Sequence, residues 1–294
     1  MVRSNKTVAV FSAVMAALTI GASARQISLP NKEKSVKFAV IGDTGTGGRE
    51  QLKVAEQLAA ARGKFPFTFA LMLGDNLYGS ERPTDFASKF ERPYKPLLDA
   101  GVKFYAALGN HDDPNQRFYK LFNMNSERFY SFKPPEGSVR FFALDSNMMT
   151  PEQLAWLEKE LKASGSEWKI PYFHHPIYSS AERHGSDMLL REKLEPLFVK
   201  NGVDVVFTGH EHFYERLKPQ QGITYIVSGN AAKLRKGNIG NTGMTAKGFD
   251  RGYAFMLCEI VGDEMHFQTI AADGRTVDSG VIERRDAGRI RTSR

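Results

Sequence analysis

Short apolar runs, each closed by Gly, Asp, Asn or His, recur along the chain at 36–41, 65–73, 102–108, 139–144, 170–173 and 203–208. Their β-branched and aromatic content and their turn-forming ends predict buried strands. Between them, apolar positions at helical spacing predict helices over 51–61, from Thr150 onward, and over about 187–200. Thr150 reads as an N-cap, with Pro151 at the first helical position and Gln153 reaching back to the cap. That helix is expected to bury Leu154, Trp156 or Leu157, and Leu161. After Gly222 the pattern changes to strands alone, at 223–227, 253–260, 264–270 and 277–282. An α/β first part followed by β hairpins predicts an α/β chain, α+β in part, with two sheets packed face to face and helices outside. The stretch 230–251 between them is Gly-rich and basic and reads as a long loop, a length that compact domains reserve for function or disorder.

Composition narrows this picture. At 294 residues and 41% hydrophobic, the chain can bury a large core in one domain, and no fixed-period repeat divides it. The formal charge of +7 favours acidic ligands, but the basic residues are spread out and no aromatic residues interleave with them. A nucleic-acid groove is therefore not indicated, and no obligate protein partner is evident. The single cysteine, Cys258, lies in an apolar run and reads as a buried small hydrophobe, so no intrachain disulfide is possible. At the N-terminus, Arg3 and Lys6 precede an apolar stretch over 8–20 and then Gly21-Ala22-Ser23-Ala24. This is the pattern of a secretory signal peptide over 1–24, too short in its apolar part to span a bilayer. The expected product is a periplasmic or secreted domain over 25–285, with no membrane span once the signal is removed. A basic tail covers 286–294, and Arg284 and Arg285 are expected to share its solvation.

Chemistry gathers where the strands end. Gly42-Asp43-Thr44-Gly45, Gly74-Asp75-Asn76-Leu77-Tyr78, Gly109-Asn110-His111-Asp112, His174-His175-Pro176 and Gly209-His210-Glu211-His212 each follow an apolar run. Ligands in open α/β sheets bind beyond the carboxyl ends of strands, so residues far apart in sequence can meet there. Glycine before Asp43 and Asp75 permits the tight turn that aims a carboxylate off the sheet. His210 and His212, two apart in extended chain, are expected to face one side. His174 and His175 are adjacent on a strand and are expected to face opposite sides, so one of them ligates and the other supports or is buried. Together with Tyr78 and Asn110, these residues form an oxygen-and-imidazole set without thiolate, too large for one tetrahedral ion and suited to two ions sharing a carboxylate.

These five segments, in this order, resemble the signature of the calcineurin-like metallophosphoesterases. Gly74-Asp75-Asn76-Leu77-Tyr78 resembles the purple acid phosphatase branch, while Thr150 to Leu157, Ala181-Glu182-Arg183-His184-Gly185 and Thr276-Val277-Asp278-Ser279-Gly280 resemble its small tartrate-resistant type. The resemblance implies a four-layer αββα sandwich of two mixed sheets. It implies that Asp43, Tyr78 and His212 hold a first ion, Fe(III), and that Asn110, His174 and His210 hold a second, iron, zinc or manganese. Asp75 bridges the two. His111 is then expected to contact the phosphoryl group, and His184 to bind phosphate or protonate the leaving oxygen. Pro171 departs from the β-branched residue usual in the family's fourth segment, and the short 145–150 segment leaves out the long loop of the mammalian enzymes.

The implied activity is hydrolysis of phosphate monoesters, on small molecules or phosphoproteins, by direct attack of metal-bound hydroxide. A phosphodiesterase or nucleotide hydrolase on the same platform is the alternative, and a non-catalytic phosphate-binding surface protein a further one. No Gly-x-Ser-x-Gly elbow accompanies the site residues, so no phospho-enzyme is expected.

Overall fold

A computed structural model describes residues 27–285; the expected signal peptide and the tail 286–294 lie outside the described residues. Two mixed sheets pack face to face. In the first, β1 (Val36–Ile41), β2 (Phe69–Met72) and β3 (Lys103–Ala106) run parallel. In the second, β4 (Tyr130–Phe132) pairs antiparallel with β5 (Val139–Ala143), which runs parallel to β6 (Trp168–Phe173), β7 (Val205–Thr208) and β9 (Thr224–Ser228). Antiparallel β8 (Tyr214–Leu217) and β10 (Thr245–Phe249) complete this sheet beyond β9. The hairpins β11 (Ala254–Val261), β12 (Glu264–Ala271) and β13 (Thr276–Glu283) complete the first sheet, β11 lying antiparallel to β1.

Alternating side chains on the inner strands serve two cores. Phe141 on β5, Ile170 and Tyr172 on β6, and Val205 and Phe207 on β7 face the space between the sheets. Their neighbours Phe142, Phe173 and Val206 face the helices. Phe38 on β1 meets Phe141 and Phe207 edge-on across the sheets at centroid distances of 5.1 and 6.2 Å. Outside lie α1 (Arg49–Arg62), which buries Val54, Leu58 and Ala61, and on the other face α4 (Pro151–Ala163) and α5 (Met188–Lys200). The expected α/β sandwich of four layers is therefore the observed one. The sequence pattern missed a Pro-containing crossover between β2 and β3, in which α2 (Pro83–Phe86) runs through a π-helical turn into α3 (Arg92–Asp99). Prolines at 83, 93 and 96 hid it: each lacks an amide hydrogen, but Pro83 opens the first turn, where none is needed, and Pro93 and Pro96 fall just beyond the π-helical turn.

Local expectations need four corrections. Thr150 does cap α4, accepting from the Gln153 amide at 3.2 Å, but the Gln153 side chain does not return to the cap. It accepts from the Asp145 amide at 2.8 Å and donates to the Asp145 and Met148 carbonyls, bracing the loop before the helix. Leu157 and Leu161 are buried as expected, but Leu154 is only half-buried, as is Trp156, which packs on Phe129. The stretch 230–251 is not all loop, because β10 within it pairs with β8. Arg284 and Arg285 are tethered rather than free, Arg284 to Asp263 and the Ser166 carbonyl and Arg285 to Asp204 and the Val203 carbonyl.

Pro171 sits inside β6. Lys169, two residues earlier, directs its amide and carbonyl towards Asp204 at the start of β7, so Pro171 faces the same neighbour and lacks the amide that a ladder bond needs. The β6–β7 ladder is accordingly confined to Tyr172–Phe207 and Phe173–Thr208, while β5–β6 runs from Val139–Trp168 to Ala143–Tyr172.

Candidate dinuclear metal centre

β1, β2 and β3 of one sheet and β6 and β7 of the other all end at the same edge of the sandwich, and the five polar segments follow those ends. The turns are strained where they carry the acids. Asp43, Asp75 and His210 hold left-handed backbones at φ 57°, 51° and 68°, which non-glycine residues adopt only where the surroundings impose it. Room for the carboxylates comes from two later glycines: a Cβ on Gly109 would sit 2.3 Å from Asp75 Oδ1, and one on Gly209 2.7 Å from Asp43 Oδ2.

The side chains converge in two triangles. Asn110 Oδ1 lies 3.0 Å from both His174 Nε2 and His210 Nδ1, which are 3.2 Å apart. Asp43 Oδ1 lies 3.1 Å from the Tyr78 hydroxyl and 3.4 Å from His212 Nε2, with Tyr78 and His212 also 3.4 Å apart. Asp75 stands between the two sets: its Oδ1 is 3.3 Å from His174 Nε2, and one donor atom each from Asp43, Asp75 and His174 fall within 4.8 Å of one another. Ligands held at about 2.0–2.1 Å around a tetrahedral ion stand ~3.3 Å apart, so both triangles have the dimensions of a coordination face.

The electrostatics point the same way. Burial, then repulsion from Asp75, pushes the Asp43 carboxyl well above the usual carboxylate range. No Lys or Arg pairs with either acid among the described residues, so a cation is what the pair lacks. Burial also lowers the imidazoles, His174 well below the usual range, His210 to about 2 and His212 to about 4, leaving them neutral and able to donate a lone pair. His174 Nδ1 is 2.9 Å from the Leu73 carbonyl, which can only accept; Nδ1 therefore carries the proton and Nε2 is the free donor atom. Tyr78 is oriented from both ends of its peptide unit, its amide donating to the Gly45 carbonyl and its own carbonyl accepting from Lys89 Nζ at 2.7 Å.

His111 and His184 flank these triangles. The exposed His111 ring lies 4.9 Å from the Tyr78 ring, and its amide donates to Asp75 Oδ1 at 3.0 Å. The His184 ring lies 4.6 Å from that of His210, with Nδ1 3.2 Å from Glu211 Oε1. All nine sequence-derived candidates thus meet at one edge of the sandwich. The reasons differ in two places. His210 and His212 are not in extended chain but in a tight loop in which the Phe213 amide donates to the Glu211 carbonyl, and this loop sends them to different triangles. His175 does not face away from the site: β6 ends at Phe173, alternation ends with it, and the His175 ring lies 4.6 Å from His210.

Sequence reasoning left several supports without a role. Asp112 accepts from the amides of Gly109, Asn76 and Leu77, fastening together the two loops that carry Asp75 and Asn110. Buried Glu211 holds His184, Arg235 and Asn238 at 3.1–3.2 Å. Their only sequence signal was adjacency to the metal-type residues. The basic segment Lys233 to Lys236 borders the site: the Arg235 amide donates to the His212 carbonyl, and Lys233 Nζ stands 4.3 Å above the Tyr78 ring.

A two-sheet sandwich with paired oxygen-and-imidazole sets beyond its parallel strands is the arrangement of a metallophosphoesterase. The chain belongs to the calcineurin-like phosphoesterase family, which residues 36–214 match, over half its length. Among curated relatives it is similar to purple acid phosphatase 7 of Arabidopsis thaliana, 27% identical, with 88% of this chain and 90% of the relative covered. It is also similar to tartrate-resistant acid phosphatase type 5 of Rattus norvegicus, 25% identical, with 85% and 91% covered. In structure it is similar to GAP50, described as the anchor in the inner membrane complex of Plasmodium, with a TM-score of 0.76, 18% identity, and 86% and 90% of the two chains covered. That likeness concerns the fold alone, so an argument for turnover has to come from the side chains. Among the described residues no helix is long and apolar enough to cross a membrane.

Proposed function

We propose that the protein is an exported dinuclear-metal phosphatase that hydrolyses phosphate monoesters, on small molecules or phosphoproteins. The observation that carries this reading is the pair of donor triangles, with Asp75 between them. In it, Asp43, Tyr78 and His212 would hold a ferric ion, and Asn110, His174 and His210 would hold iron, zinc or manganese. A bound ion pair would supply Lewis acidity towards the phosphoryl oxygens and lower the pKa of water. The chain's own groups do the rest. His111, at the open edge, contacts the phosphoryl oxygens and offsets charge that develops on them. His184 acts as an imidazolium that gives its Nε2 proton to the leaving oxygen; its Nδ1 lies 3.2 Å from the buried Glu211 carboxyl, which offsets the burial and the Arg235 charge that disfavour the cation. The loop before α4, braced by Gln153, carries Ser146, whose hydroxyl is 2.9 Å from His175 Nδ1 and keeps that ring at the edge of the site.

Hydrolysis of p-nitrophenyl phosphate and of its bis-ester across pH, with metal analysis of the same samples, tests the reading. Monoester turnover that requires two bound ions is expected; faster diester turnover would replace it with a phosphodiesterase, and no turnover with a binding protein. Tyr78→Phe tests the ferric ion separately. The phenolate is a hard ligand for Fe(III), so the variant should lose the visible charge-transfer band of the iron-loaded protein, and an unchanged spectrum would remove Tyr78 from the ligand set.

A further inference from the structure

The basic residues around the metal centre are unequally engaged. Arg235 is tied to Glu211, Lys89 to Asp85 and two carbonyls, and Arg128 to Asp145. Lys233 has no carboxylate partner among the described residues. Its side chain, half-buried, instead rests its ammonium on the face of Tyr78, 4.3 Å from the ring centre. The ring is itself anchored in a donor triangle through its hydroxyl.

A ring face stabilises an ammonium only modestly and uses none of its three N–H donors. A cation held partly out of water without an anion is a cost to the fold unless an anion arrives. We propose that Lys233 donates to a non-esterified oxygen of the bound phosphoryl group and so selects monoester dianions over diester monoanions. The proposal rests on the phosphatase reading and names its substrate class by charge. A monoester presents up to two negative charges and three free oxygens, a diester one charge and two. Removing one cation therefore weakens the first more than the second. Backbone geometry supports the placement: Ala231 donates to the Gly42 carbonyl and Arg235 to the His212 carbonyl, so the segment carrying Lys233 is fastened on both sides to ligand-bearing turns.

The test uses the metal-loaded full chain with Lys233→Met, which keeps the stem and removes the charge, and Lys233→Arg, which keeps the charge. Hydrolysis of p-nitrophenyl phosphate and of bis(p-nitrophenyl) phosphate is measured for each. Inorganic phosphate binding is followed by calorimetry, alongside metal content and Tm. Lys233→Met should lower kcat/KM for the monoester roughly ten- to hundredfold, the span of a hydrogen bond to a charged group, with a much smaller loss for the diester. Phosphate binding should weaken by a similar factor, metal content and Tm should hold, and Lys233→Arg should recover most of the loss. Equal losses on both esters, unchanged phosphate binding, or loss of metal from Lys233→Met would each overturn it. Should the parent protein hydrolyse neither ester, the phosphatase reading fails, and the phosphate titration still decides whether Lys233 binds the anion.

Discussion

Asp75→Ala should leave a folded chain that holds no ion pair and hydrolyses phosphoesters at least about a thousandfold more slowly, since several kcal/mol of charge stabilisation leave with the metal. The reason lies in its place. Its carboxylate is buried between two donor triangles and 3.3 Å from His174 Nε2, so no other side chain can serve both. The metal-free protein should tolerate the change. Asp75 is one of the charges that push Asp43 away from its ionised form, and removing it relieves that repulsion. What should vanish is the stabilisation that added metal gives the parent chain, because a ligand stabilises a fold only by binding it. Metal analysis and melting with and without a chelator check both halves. A variant that keeps two ions and a metal-dependent melting temperature would remove Asp75 from the bridging position.

His111→Ala should behave in the opposite way, keeping both ions and losing roughly 10²- to 10³-fold in turnover, the size of one lost electrostatic contact to the reacting group. The distinction comes from which part of residue 111 does what. Its amide, which the alanine variant retains, supports Asp75 Oδ1 at 3.0 Å. Its imidazole is exposed and belongs to neither triangle. Metal content and Tm should therefore match the parent while kcat falls. Metal loss equal to that of Asp75→Ala would make His111 a structural residue.

Most of this site was legible in the chain because parallel strands impose one rule: whatever follows their carboxyl ends meets at one edge. Asp43, Asp75, Asn110, His174 and His210 each stand one to four residues beyond such an end, and no knowledge of the loops is needed to bring them together. The layered fold was legible for a related reason, since β5, β6 and β7 alternate between two apolar environments and read as continuous buried runs. Where a reading depended on conformation beyond the strand, it failed. His175 was expected to turn away by strand alternation, but alternation ceases at Phe173. Gln153 was expected to close a capping box, yet Asp145 offered its side chain both a donor and an acceptor.

The sequence by itself determined the donor types, their order, and the strands that carry them, because apolar periodicity and glycine-linked turns are local properties. Only the tertiary structure decided how they are shared out. It placed His210 and His212 in separate triangles, set Asp75 between them, drew Glu211 onto His184, and laid Lys233 across Tyr78. Those outcomes depend on how two sheets and five loops pack against one another, and contacts between segments so far apart in the chain leave no periodicity in it to read.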